Sequence, residues 1–216
     1  MRSVSGEAGS ESTAGGRSLL VERAASALAH EAKNPLHNMA LHLQLVSEKL
    51  PGDAARGVER HLHAMRDGIS QVDALLKAFA DLAAPVNLVP DLGQSLTRAL
   101  LLFSFEARRK SVEIVRKGPA EVRVAAPGDA VLEIVCNAVL AGIALAREGR
   151  LTVAIEPDGP RVRLDVIAGS GIPPREESIP HLEAVHRLSS EAGAEPSIDV
   201  EGAGPARLSL SFAHTR

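Results

Sequence analysis

The chain predicts an α+β protein. An N-terminal antiparallel helical hairpin forms a dimeric four-helix bundle, and an α/β sandwich follows it. Three observations carry this reading. Two long heptad-spaced stretches flank the breaker Pro51-Gly52-Asp53. Pro85 and Pro90 then mark a linker. Beyond them, short stretches of strand period interleave with longer apolar ones of helical period.

Residues 1–17 are largely Ser, Gly, Glu and Ala, and are expected to be a disordered tail that leaves no room for an N-terminal sensor domain. The hairpin is assigned to residues 18–84. In its first helix, over 18–50, apolar side chains recur at Ala25, Leu28, Ala32, Leu36, Met39, Leu43, Val46 and Leu50, in steps of three and four. In the second, over 53–83, the seam is Val58, Leu62, Met65, Ile69, Val72, Leu76 and Phe79. A lone hairpin buries only half of such a seam. No further long heptad helix follows, so a second copy is expected to close the bundle as a homodimer with twofold symmetry.

The second domain is assigned to residues 90–216. Asp91 suits the N-cap of an amphipathic helix reaching Arg109. Short strands are expected at 112–115 and 122–125. A helix over 128–146 is apolar on most sides and therefore buried. Strands at 151–155 and 162–167 alternate across the turn at Asp158-Gly159. A helix at 179–192 and a hairpin of 198–200 with 206–212 complete five or six strands and three helices. They should form a mixed sheet with its helices on one face.

Composition narrows the function. With 45% hydrophobic residues a real core is available, and with 2% aromatics and no Trp or Tyr it must be built from Leu, Val, Ile and Ala. The net charge is −3, from 24 basic and 27 acidic residues, without a basic patch interleaved with aromatics, which argues against nucleic acid as a partner. The single Cys136 cannot form an internal disulfide and reads as a small buried hydrophobe in a reducing compartment. No signal peptide is apparent. The apolar run near 100–105 falls far short of the roughly 18 residues that span a membrane. A soluble cytoplasmic protein is expected.

The chemistry concentrates in His30-Glu31-Ala32-Lys33-Asn34-Pro35-Leu36. This string sets an imidazole, a carboxylate, a cation and an amide on neighbouring faces of one helix. His30 falls off the seam, so its ring should face solvent. Ser26, Lys33, Asn34 and His37 share its face. An unperturbed imidazole titrates at about 6.5, so near neutrality it is a competent nucleophile, suited to carrying a phosphoryl group as a phosphoramidate. Glu31 can accept a ring proton, Lys33 offers positive charge to an anion, and Asn34 can contact the phosphoryl group or orient a water. Pro35 removes an N–H, so the carbonyl of Glu31 loses its helical partner and the helix should kink there. His37, His42, His61, His63, His181, His186 and His214 lack such surroundings and read as structural or solvent-facing. His61 and His63, two apart on a helix, point to different sides, and no metal site is expected.

This heptapeptide resembles the H-box of bacterial sensor histidine kinases, whose histidine is phosphorylated. The hairpin resembles their dimerisation and phosphotransfer domain, and residues 90–216 resemble their Bergerat, or GHKL, ATP-binding domain. The second domain departs from that pattern at three places. Where the family carries Asp-Xaa-Gly-Xaa-Gly, whose aspartate binds adenine, the chain reads Ile167-Ala168-Gly169-Ser170-Gly171. Asp165 is on the same strand face but roughly 6–7 Å away, a poor substitute. Where the family carries two asparagines in its N-box, Glu133 replaces the first and Asn137 keeps the second. The ATP lid and second Gly-rich box have no counterpart between Pro174 and Ile179. The resemblance thus implies a degenerate nucleotide site (Asn137, Gly169, Gly171), with no cofactor of the chain's own and no ATP binding. It implies a phosphorelay histidine phosphotransferase using His30, Glu31, Lys33 and Asn34. Its partners are receiver domains of response regulators, which bring their own Mg²⁺. Docking is expected around His30 and the facing stretch 72–79. An autophosphorylating kinase, a response-regulator phosphatase and a non-catalytic scaffold stay open.

Overall fold

The computed structural model describes residues 8–48, 55–83, 89–146, 149–169, 176–199 and 205–215. Among these residues it has five helices and a five-stranded mixed sheet. Helices α1 (Ala8–Glu48) and α2 (Ala55–Ala83) pack along each other as the hairpin. The breaker at 51–53 and the linker at 84–88 lie outside the described residues.

The expected tail is corrected in part. Helix α1 begins at Ala8, so residues 8–17 extend the hairpin helix, while 1–7 lie outside the described residues. Extending a helix costs far less than starting one. This helix is anchored just beyond, where Leu20 and Ala24 are fully buried.

The second domain begins with α3 (Leu92–Arg109), capped as expected by Asp91, whose carboxylate accepts the Gln94 N–H at 2.8 Å. Then come β1 (Glu113–Lys117), α4 (Gly128–Ala146), β2 (Arg150–Asp158), β3 (Arg161–Ala168), α5 (Ile179–Glu191), β4 (Glu195–Asp199) and β5 (Ala206–Ala213). The sheet order is β1-β2-β3-β5-β4, with β1 parallel to β2 and every other pair antiparallel. The strand expected at 122–125 is not one. That segment makes only isolated bridges, Asp91 to Arg123 and Val124 to His214. Its neighbours are a helix start and a strand end, so no continuous ladder is available. Strand β4 starts earlier than its apolar residues suggest. Pro196 lies within it, which an edge position tolerates.

Helix α4 is the centre of the core. By length and composition it could cross a membrane, but 83% of its apolar window is buried among α3, α5 and the sheet. It comes close to the strands because Gly142 has no side chain: a Cβ there would lie 2.6 Å from Val166 Cγ1 and 2.8 Å from Leu151 Cδ1. Gly142→Val should therefore destabilise the fold by about 1–3 kcal/mol through overpacking. A thermal melt checks this, and an unchanged midpoint would contradict the close approach.

The core does not stop at the linker. Leu20 and Ala24 of α1 and Ala78 and Leu82 of α2 belong to the same buried cluster as Leu92, Leu96 and Phe103 of α3. Arg98 of α3 also pairs with Asp81 of α2 at 2.8 Å. The open end of the hairpin is thus built into the second domain.

Candidate functional site

His30 lies in α1, eighteen residues before the helix ends at Glu48. Its ring orientation, expected outward, lies outside the described residues. Its neighbours are described. Ser26, Lys33, Asn34 and His37 are all exposed, as their shared face requires. Lys33, Asn34, His37 and Asn38 line a shallow hollow of about 400 Å³. One turn before His30, a cleft of about 500 Å³ opens between α1, α3 and α4, with Arg23, Ser26 and Arg109 on its wall.

Pro35 does not end the helix, which runs on to Glu48. Pro35 is buried against α2, where Gly68 makes room: a Cβ on Gly68 would lie 2.8 Å from Met39 Cγ and 3.4 Å from the Pro35 carbonyl oxygen. Seven residues further along α1, and seven back along α2, His42 Nδ1 meets His61 Nδ1 at 2.9 Å. The helices therefore run antiparallel in register. Five residues back from Pro35, the level of His30 matches that of Asp73 on α2, within the stretch expected to face it.

Glu31 is not at the surface. It is buried, and its carboxylate accepts a charge-assisted hydrogen bond from Arg108 Nη2 in the last turn of α3. Sequence reasoning could not find this contact. Arg108 reads locally as a cation that complements a helix C-terminus, and it is 77 residues from Glu31.

In the second domain, Asn137 is buried on α4 and fully engaged. Its amide donates to the Glu133 carbonyl at 3.0 Å, and its Oδ1 lies 2.8 Å from His181 Nδ1 on α5. His181, read as structural or solvent-facing, is buried. Its pKa is lowered to about 4, first by desolvation and then by the positive charges of Arg23 and Lys110, with Glu106 opposing. The ring is neutral, so Nδ1–H donates to Asn137. Burial likewise pushes the Cys136 thiol up, as its reading as an inert core residue requires.

This histidine makes stability depend on pH. The unfolded ring titrates at 6.5 and the folded ring at about 4, so the folded state binds fewer protons between them. Stability is full above about 6.5 and falls by about 3 kcal/mol as pH drops towards 4. His181→Gln should flatten acid unfolding over that window. An unchanged acid limb would contradict the assignment.

Strand β3 alternates. Val162, Leu164, Val166 and Ala168 are buried on the helix side, as the Val166 contact with α4 shows. Ile167 is on the opposite face, between Thr152 and Arg207, and so points away from Asn137. Asp165 shares that outer face, where it pairs with Arg163 at 3.0 Å and Arg207 at 3.7 Å and accepts from the Ser209 hydroxyl at 2.5 Å. Gly169 extends the β2–β3 pairing, its N–H donating to the Arg150 carbonyl at 3.1 Å. Gly171 lies outside the described residues. Among the described residues, no three His, Cys, Asp or Glu side chains come together as a metal site.

Set beside known proteins, the chain is similar to sensor histidine kinases. Over 155 residues the chain is 29% identical to the sensor histidine kinase ZraS of Klebsiella oxytoca, a match covering 68% of this chain and 32% of that protein. The chain thus spans about a third of that relative's length. Among solved structures, the histidine kinase AdeS of Acinetobacter baumannii is 13% identical, covering 87% of this chain and 98% of that one, with a TM-score of 0.49. The structure of a bacterial phosphotransferase is 22% identical, covering 88% of this chain and 95% of that one, with a TM-score of 0.45. No protein-family model matches the chain.

Proposed function

We propose that the chain is a histidine phosphotransferase of two-component phosphorelays. His30 takes a phosphoryl group from the aspartyl phosphate of one response-regulator receiver domain and passes it to the aspartate of another. The observation that carries this reading is the engagement of Asn137 by His181 and by the Glu133 carbonyl, alongside an H-box that keeps its full sequence. Two features support a chain without ATP of its own. The Asn137 amide has both of its groups occupied in the core, and Ile167 neither accepts a hydrogen bond nor faces α4.

In the proposed step an unprotonated ring nitrogen of His30 attacks phosphorus. A P–N bond forms as the P–O bond to the donor's aspartyl carboxylate breaks, and the carboxylate leaves with the electron pair. The other ring nitrogen keeps its proton, and the cationic ring carries the phosphoryl group until the next transfer. Transfer to the second receiver is the reverse. Lys33 and Asn34, both exposed, meet the receiver's phosphoryl group. Magnesium comes with the receiver.

The predicted seam supports a homodimer. Leu36, Leu43, Ile69 and Leu76 are each more than half exposed in the single chain, and Leu62 is 40% exposed. They form heptad-spaced stripes on both helices, which a second copy would cover. The working compartment under this reading is the cytoplasm, where receivers act.

The test has two arms, labelled ATP with magnesium and a labelled phosphorylated receiver. Acid-labile label on His30 from the receiver alone supports the phosphotransferase. Label from ATP supports the second reading, a histidine kinase, which the match to ZraS favours. Receiver binding with no label in either arm leaves a scaffold, and loss of receiver phosphate without labelled His30 indicates a phosphatase.

A further inference from the structure

The last turn of α3 and its C-cap carry three consecutive cations, Arg108, Arg109 and Lys110. Arg109 pairs with Glu106 at 2.9 Å, and Lys110 pairs with Glu106 and Glu177, all within the second domain. Arg108 instead crosses to α1 and takes the buried carboxylate of Glu31. We propose that Arg108 is a positioning residue for phosphoryl acceptance, acting through Glu31. This inference rests on the phosphotransferase reading and deepens it.

The electrostatic reason is direct. Glu31 immediately follows the acceptor and has only 5% of its side chain exposed, so water screens its charge weakly. The incoming phosphoryl group is an anion, and a bare carboxylate beside the acceptor repels it. The guanidinium of Arg108 cancels that charge at contact. Its own side chain is 58% exposed, so it stays in reach of an approaching donor. The pair also pins the H-box turn against α3.

Folding and docking do not depend on this pair alone. Arg98–Asp81 clamps α3 to the hairpin ten residues earlier, about 15 Å along the helix. The shared core joins the same elements. A variant at Arg108 should therefore remain folded with its domains packed, and the effect on transfer can be read separately.

The experiment compares wild type, Arg108→Gln, Arg108→Lys, Glu31→Gln and the Arg108→Gln/Glu31→Gln double variant. Two phosphoryl donors are used, a phosphorylated receiver and phosphoramidate, a small anionic donor that needs no docking surface. Label on His30 is followed with time, and melting is measured in parallel. Arg108→Gln is expected to slow acceptance from both donors by about tenfold or more, with Arg108→Lys restoring most of the rate. In the Glu31→Gln background, Arg108→Gln should have little further effect, because the charge it compensates is gone.

A lower melting midpoint with a wild-type rate would reduce Arg108 to a structural role and overturn the proposal. So would equal slowing in both backgrounds, which means action without Glu31. If phosphoramidate labels wild type and no receiver does, the phosphotransferase reading falls and the Arg108 comparison is still read in the phosphoramidate arm. If neither donor labels wild type, both fall.

Discussion

His30→Gln is expected to abolish phosphoryl acceptance while leaving the protein folded. Glutamine keeps comparable bulk and a polar end but has no nucleophilic ring nitrogen, so no phosphoramidate can form. The residues that share its helix face, Ser26, Lys33, Asn34 and His37, are all exposed, and the buried positions nearby are Ala27, Glu31 and Pro35. A change on such a face ordinarily moves stability by less than about 0.5 kcal/mol. The measurement is acid-labile label transferred from a phosphorylated receiver, with a thermal melt beside it. Label persisting on the variant would place the acceptor elsewhere. His37 is the first alternative, since it lies two turns along the same helix and is exposed.

Ile69→Asp or Leu43→Asp should convert a dimer into a folded monomer. Ile69 is 58% exposed and Leu43 55% exposed in the single chain, so neither is needed for the intrachain core. That core uses other positions, among them Leu20, Ala24 and Ala27 on α1 and Leu75, Ala78 and Leu82 on α2. Covering one isoleucine contributes about 1.5–3 kcal/mol. A twofold interface carries the change twice, so losing both side chains weakens association by about a hundredfold to ten-thousandfold. Burying unpaired aspartates adds to that cost. Sedimentation equilibrium reads the result as a halved mass at unchanged helix content. A wild-type chain that is monomeric and folded at micromolar concentration would sink the bundle, and with it the assignment of these stripes as an interface.

How much of the site was legible depended on distance along the chain. The string from His30 to Leu36 is local and could be read directly, but the apolar positions buried within the chain are Leu20, Ala24, Ala27 and Pro35 on α1 and Gly68, Leu75, Ala78 and Leu82 on α2, a different stripe from the predicted seam. The caps and turns were also local: Asp91 three residues before Gln94, Gly159 between two alternating strands. The reading failed where a local signal had no partner. Residues 122–125 have strand composition but only isolated bridges, and the tail residues 8–17 have a loop-like composition yet continue a helix that is anchored further on.

The sequence by itself therefore determined the hairpin, the helices of the second domain, most of its strands and the His30 turn, because each depends on contacts within a few residues. Only the tertiary structure decided what those side chains meet. Glu31, legible as the neighbour of His30, is buried against Arg108, 77 residues away. Asn137, legible as the remnant of a nucleotide motif, is held by His181, 44 residues away. Asp165, legible as a displaced aspartate, belongs to a polar network on the far face of the sheet. In each case the side chain's role follows from packing between elements, where burial penalises an unpaired polar group and any partner within reach is taken.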